Sequence, residues 1–400
     1  MGDSHYIKAG WMVDGTGGQI QENILLTVER GRFCRIEKIE DSDAPGDAGV
    51  TDLSDCTIFP PLIDCHVHLC LSGKTDNQIR KSQLSASFEE QHTCISAQLR
   101  HHISSGVLAV RDGGDRRGFT LLYTNEASGT KQVPVIVKTA GRAWHQKGRY
   151  GAWTGRHPEE GESLAVAFTK ESEPIDHVKL INSGLNSLSV FGKETLPQFE
   201  LKEIKDLVYQ AAQQGKKVMA HANGKLPVRL AIDAGCHSIE HGFFMGRENL
   251  ERMAEAQTIW VPTAFTMKAF AKSIDPENSQ AVKEIIERNL HHQLEQMAMA
   301  RQCGATIALG TDAGSPGVRH GDSAIEELKL FMAAGYSLPE AVRCATQNGA
   351  QLLGLEEFGL IAKGKPAQFI AAQATPSMLF GKSSYPQQIY ISGQAWNPMY

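Results

Sequence analysis

Phe59-Pro-Pro-Leu-Ile-Asp-Cys-His-Val-His68 joins a stop signal, an apolar run and two imidazoles within ten residues. Pro60 and Pro61 end any preceding element, and Leu62, Ile63, Cys65 and Val67 form an apolar run of strand length. Residues two apart on a strand project from one face, so His66 and His68 point the same way and are able to share one cation. Paired histidines at this spacing also occur without metal, as exposed or hydrogen-bonded pairs. Their meaning depends on what the rest of the chain supplies.

Downstream, short apolar runs alternate with longer helical stretches, the pattern of βα units around a parallel sheet. After the opening strand the candidates are Val107–Asp112, Val133–Lys138, His177–Ile181, Lys217–His221, His237–His241, Thr258–Pro262 and Thr306–Asp312. Eight strands are what a closed barrel needs. Between them, Leu201, Ile204, Val208 and Ala211 share one helical face ahead of Gly215. Ile286, Leu290 and Leu294 do the same in a helix over Val282–Met299 that Gly304 stops. The ends of the chain read differently. Ile7 to about Thr57 and the tail from Gly359 carry short β-rich runs and glycine turns, too short to bury a core alone, and are expected to pair with each other. The predicted fold is therefore α/β: a (β/α)8 TIM barrel over 58–357, with a small β-sandwich domain formed by the N- and C-terminal segments, 1–57 and 358–400.

Reactive groups in such barrels gather at the C-terminal ends of the strands. The predicted strands end on His66 and His68, Lys179, His221, His241 and Asp312. Each alone has an ordinary reading: a structural or exposed histidine, a solvated lysine, an aspartate capping a helix or making a turn. Four imidazoles and a carboxylate converging on one barrel mouth form an N/O donor set suited to zinc and its neighbours. Arg111-Asp112, ending the second strand, reads as a structural ion pair beneath the site.

These residues stand in ordered motifs: His66-Val-His68, Val178-Lys-Leu-Ile-Asn-Ser-Gly, His221-Ala-Asn-Gly, Ser238-Ile-Glu-His-Gly and Gly310-Thr-Asp-Ala-Gly. From about Pro60 to Gly354 the set resembles the amidohydrolase superfamily, and within it the imidazolonepropionase-related group that contains prolidase-like, metal-dependent carboxypeptidases. The resemblance implies a metal-dependent amidohydrolase with two divalent metal ions, zinc foremost, and with Lys179 carboxylated by carbon dioxide to bridge them. His66, His68 and Asp312 would hold the first ion and His221 and His241 the second. A hydroxide between the ions would attack, while Asp312 moves the proton to the leaving nitrogen. A carbamate at Lys179 is chemically sensible, since an ammonium repels cations whereas a carbamate supplies two anionic oxygens. A single ion held by His66, His68, His221 and Asp312 is the simpler alternative.

The substrate-facing positions depart from the family pattern. Prolidase-like relatives carry a tyrosine two places after the fifth-strand histidine, gripping a substrate carboxylate, where this chain has Asn223. An amide there suits a cyclic amide as readily as a dipeptide or N-acyl amino acid. The loop Gly141–Arg156 is rich in arginine and aromatic residues, and its Arg142, His145 or Arg149 could bind a carboxylate or an oxyanion. His320, in the loop after Asp312, could also reach substrate or instead cap a helix. Relatives have Gly-Lys-x-Ala-Asp in the tail, where Gln368 here replaces the acid. Deamination of a heterocycle is an alternative chemistry, opposed by the bridging lysine. A non-catalytic structural relative is another, opposed by the complete ligand set.

Bulk properties narrow the partners to a small molecule. The 400 residues carry a formal net charge of -5, which gives no general attraction to nucleic acid or an anionic membrane surface. Eight cysteines without a CxxC pair read as reduced thiols in a cytoplasmic enzyme. The first residues lack an apolar signal core and a myristoylation pattern, and no stretch has the length and apolarity of a membrane span. A homo-oligomer is compatible with the sequence but not specified by it.

Overall fold

Pro60 and Pro61 stand between two sheets that the chain enters in succession. The computed structural model of the protein describes residues 4–39, 49–127, 133–273, 280–381 and 388–396. The outermost residues of the two expected terminal segments, 1–3 and 397–400, lie outside that set.

Before the prolines, strand Val50–Phe59 is the centre of a seven-stranded sheet. One side takes His5–Met12 in parallel, followed by Gln21–Glu29 and Arg32–Lys38 as antiparallel neighbours. The other side takes Phe369–Ala372, then Gln388–Ile391 and Gln394–Trp396, all antiparallel. The N- and C-terminal segments thus build one sheet, as the sequence suggests. Its far arms fold over to enclose a separate core. Phe33 packs on Phe369 at 6.2 Å although their strands lie four places apart in the sheet, and Phe369 stacks on Tyr390 at 4.4 Å.

After the prolines the barrel begins. Leu62–Val67, Val107–Asp112 and Ile136–Thr139 pair in parallel. His177–Ile181, Lys217–Ala222, Ser238–His241 and Ile259–Val261 continue the ring. The third strand is split, its continuation Ala143–Trp144 pairing with the fourth through Leu180. It starts at Ile136 rather than Val133, because Pro134 has no N–H to give a ladder. The eighth strand is irregular. Instead of an unbroken Thr306–Asp312 run there are bridges from Ile307 to Trp260 and from Ala313 to Val67. Hydrogen bonds from Cys65 N to Leu309 O and from Ala308 N to Trp260 O close the ring.

The two helices read from periodicity are present as Leu201–Gln213 and Gln280–Cys303. Gly215 and Gly304 just beyond them both adopt left-handed φ. The longer helix buries Asn289, Gln293 and Gln296 besides Ile286. Gln293 and Gln296 bond backbone carbonyls at the ends of barrel strands, His241, Gly242 and Pro262, and Asn289 bonds the Ser187 carbonyl in a loop. Among the described residues no helix is long and apolar enough to cross a membrane.

Candidate metal centre

His66 and His68 leave the first strand on one face, but they are fixed by different acceptors. His66 Nδ1 lies 2.8 Å from Glu240 Oε2, and His68 Nδ1 lies 3.0 Å from the Gly114 carbonyl. Both acceptors hold a proton on Nδ1 and leave each Nε2 lone pair facing the cavity. There Asp312 Oδ1 stands 3.6 Å from His66 Nε2 and 3.4 Å from His68 Nε2. Ligand atoms of these three residues all lie within 4.8 Å of one another, close enough to hold one ion. Lys179 Nζ comes within 3.5 Å of His66 Nε2.

His221 and His241 form the other side. Their rings are 4.5 Å apart, and His241 is 5.0 Å from His66. Here the acceptors carry no formal charge: Thr263 Oγ1 for His241 Nδ1 at 2.7 Å, and the Gly184 carbonyl for His221 Nε2 at 3.2 Å. His221 therefore turns its Nδ1 edge toward the site. All six side chains named from the sequence line one cavity of about 620 Å³.

Two of the six sit in backbone conformations that non-glycine residues rarely adopt, His241 at φ 67° and Asp312 at φ 58°. Surrounding bonds hold both. The His241 carbonyl accepts from Trp260 Nε1 at 2.9 Å and from Gln293 Nε2 at 2.6 Å. Asp312 is clasped by the bond from its N–H to His66 O at 2.8 Å and from Ser315 Oγ to its Oδ2 at 2.8 Å. Next to it, Thr311 gives its N–H and hydroxyl to the buried carboxylate of Asp64.

Burial sets the charge states. It lowers His68 to about 4 and His221 to about 3, and holds His66 and His241 well below the usual imidazole value. It raises Asp312 to about 6 and lowers Lys179 to about 8, so each is drawn toward its neutral form. Neutral imidazoles, a carboxylate and a lysine that readily yields its proton are the states in which these groups bind cations. The donor set fits divalent metal.

Other expectations are revised. Arg111 pairs with Glu240 at 2.8 Å and not with Asp112, because adjacent strand residues face opposite sides. Asp112 instead accepts the N–H groups of Leu69 and Gly114. Glu240, which joins Arg111 to His66 and also accepts from Ser238 Oγ, is fully buried. It lies inside the quoted Ser238-Ile-Glu-His motif, yet nothing local in the sequence reveals its partners.

Arg142, His145 and His320 do not line the cavity. Arg142 is drawn to Glu173 at 2.6 Å. His145 is buried beside His157 and bonds the Gln146 carbonyl. His320 bridges His102 at 3.0 Å and the Leu71 carbonyl at 2.7 Å, tying a helix to the loop after His68. Asn223 does reach the cavity, but its amide is spent on the wall, accepting from Phe243 N at 3.1 Å and donating to Gly184 O at 3.3 Å. Arg80, Arg149, Tyr150 and Trp153 also line the cavity, and of these the sequence reading had named only Arg149.

A model described as the amidohydrolase family matches residues 57–395, most of the chain. The protein belongs to the amidohydrolase family. Within that family it is 31% identical to ochratoxinase of Aspergillus niger over 204 residues, half of this chain but only 41% of the length of that relative. Imidazolonepropionase of Idiomarina loihiensis is 24% identical over 90% of this chain and 88% of its own. Among solved amidohydrolase relatives, a Xaa-Pro dipeptidase with methionine in its active site superposes with a TM-score of 0.80 at 25% identity, covering 99% of this chain and all of that one.

Proposed function

We propose that the protein hydrolyses an amide C–N bond in a small, largely apolar substrate bearing one anionic group, using two divalent metal ions. The observation that carries this reading is the convergence of four histidines, Lys179 and Asp312 on one cavity. His66, His68 and Asp312 would hold one ion, His221 and His241 the other, and carboxylated Lys179 both. Zinc suits this donor set. Such ions, when bound, polarise a carbonyl and make water acidic enough to attack near neutral pH.

The protein's own groups supply the rest. Lys179 gives up its ammonium proton readily, and the resulting amine forms a C–N bond to carbon dioxide, releasing a second proton. Asp312 takes a proton from the attacking water and passes it to the leaving nitrogen, a carboxylate's ordinary general-base and general-acid role. Leu185, Phe243, Met267 and Phe270 give the cavity apolar walls, while Arg80 and Arg149 add positive charge. Among its described lining residues Asp312 is the one carboxylate, so nothing there would pair with a basic side chain. An N-acyl amino acid with an apolar side chain fits better than an Xaa-Arg dipeptide. The likeness to a Xaa-Pro dipeptidase and to ochratoxinase supports a substrate of this size.

Elemental analysis of the purified protein should find close to two transition-metal ions per chain, and chelation should abolish turnover of N-acyl amino acids, Xaa-Pro dipeptides or lactams. Full activity after verified metal removal would end the proposal.

A further inference from the structure

We infer that the amides cleaved here carry a medium-length alkyl chain on their acyl side, so that the substrate class is N-acyl amino acids with a hydrocarbon tail; this rests on the hydrolase reading above and deepens it. One wall of the cavity carries the inference. Leu188, Phe243, Met267 and Phe270 all line the cavity, and all belong to a single apolar cluster that also holds the buried Ile286. None of the charged residues lining the cavity is part of that cluster. Thr266, the polar neighbour of Met267, gives its hydroxyl to the Thr263 carbonyl at 2.8 Å, so that group is not offered to a ligand.

The wall rises from the half of the metal centre formed by His221 and His241. Phe243 follows His241 by two residues, and Met267 and Phe270 lie on helix Phe265–Ser273, shortly after strand Ile259–Val261. Leu188 arrives from the loop after strand His177–Ile181, and that loop is pinned in place. Asn289 holds its Ser187 carbonyl at 3.1 Å, and Phe191 packs on Phe244 at 5.3 Å with the Arg288 guanidinium 4.1 Å over its ring. A wall formed before the ligand arrives spares the cost of ordering it on binding. Toward solvent the lining continues to Leu185 and Trp153, which are 58% and 55% exposed. Large apolar side chains left in water beside a cavity mark a surface that a ligand covers.

Asp312 gives the substrate its direction. It groups with His66 and His68, and it is the residue that delivers a proton to the leaving nitrogen. The amine side of the amide therefore lies over that first half, and the acyl side over the second, where the apolar wall begins. The cavity of about 620 Å³ is of the size that encloses a drug-sized ligand, more room than an acetyl group fills. Hydrolysis consumes one water, breaks the C–N bond and releases a fatty acid and the free amino acid.

The test measures turnover of N-acyl glycines from acetyl to decanoyl by the zinc-loaded protein and, separately, titrates alkyl hydroxamates of the same chain lengths by calorimetry. The expected result is a rise of about threefold per methylene in both kcat/KM and hydroxamate affinity, levelling off once the chain reaches the mouth. Phe270→Lys, which sets a cation in the wall, should lower the ratio of octanoyl to acetyl hydroxamate affinity by about tenfold or more. Leu188→Asp should act in the same direction and serves if the first variant does not fold. Hydroxamate affinity independent of chain length, or a ratio unmoved in the folded, zinc-loaded variants, would overturn the inference. If affinity climbs with chain length while no N-acyl glycine is cleaved, the hydrolase reading falls and the acyl wall stands. Cleavage with a flat hydroxamate series leaves hydrolysis standing and removes the wall.

Discussion

The two halves of the histidine cluster are built alike and backed differently. His66 leans on the Glu240 carboxylate, and with His68 and Asp312 forms a group tight enough for one ion. His221 and His241 lean on a carbonyl and a hydroxyl. An anionic acceptor makes an imidazole a stronger donor, while a neutral one mainly orients it. If two ions bind as proposed, the difference predicts unequal affinities, with the first half filling before the second.

Replacing the acid that closes the tight half should have the largest effect. Asp312→Asn is expected to lower turnover by about 10²- to 10⁴-fold, because an amide cannot carry a proton. The same variant should unfold at higher denaturant, since asparagine tolerates φ 58° and no buried carboxyl remains. Unchanged kcat would remove Asp312 from the proton path.

The acceptors themselves come next. Glu240→Gln should weaken the first ion by about 10- to 100-fold in a competitive chelator titration. It should also destabilise the fold by about 3 kcal/mol or more, because Arg111 loses a buried partner. Thr263→Val should weaken only the second ion, and by less. Equal losses for the two variants would erase the distinction between the halves.

Acid should sharpen it with the smallest change. In the metal-free protein Asp312 takes up its proton near 6, above its ordinary value, so protons compete with the first ion as pH falls below 6. The imidazoles of the second half, with His221 near 3, stay unprotonated far lower. Metal titrations from pH 7 to 5 should show both affinities falling, because Lys179 must shed protons to hold either ion, and the first falling more steeply because Asp312 adds its own proton. In Asp312→Asn the extra steepness of the first ion should disappear, leaving the two affinities falling in parallel.

How far the sequence carried varied with the kind of interaction. Strand order and the ends of the strands were legible because period-two apolar runs and their terminal residues are local features, so His66, Lys179 and His241 could be named together. Partner choice was not. Arg111 sits beside Asp112 in the chain and across the barrel from Glu240, and only the closed ring decides between them. Arg142 and His145 share a suggestive loop with Tyr150, yet Arg142 is drawn to Glu173 and His145 to the Gln146 carbonyl, while Tyr150 lines the cavity. His320 looked available until the fold brought His102 beside it.

Strand Val50–Phe59 has a further implication, for the order in which the molecule can be assembled. It hydrogen-bonds on one flank to residues near the beginning of the chain and on the other to Phe369–Ala372, and two prolines later it becomes the strand bearing His66. During synthesis that second flank stays open until more than three hundred further residues have emerged, a long-range closure of the kind that slows folding. Until then the nascent protein carries an exposed sheet edge next to its most valuable histidines, and loss of the tail would leave that edge permanently available for pairing with another chain.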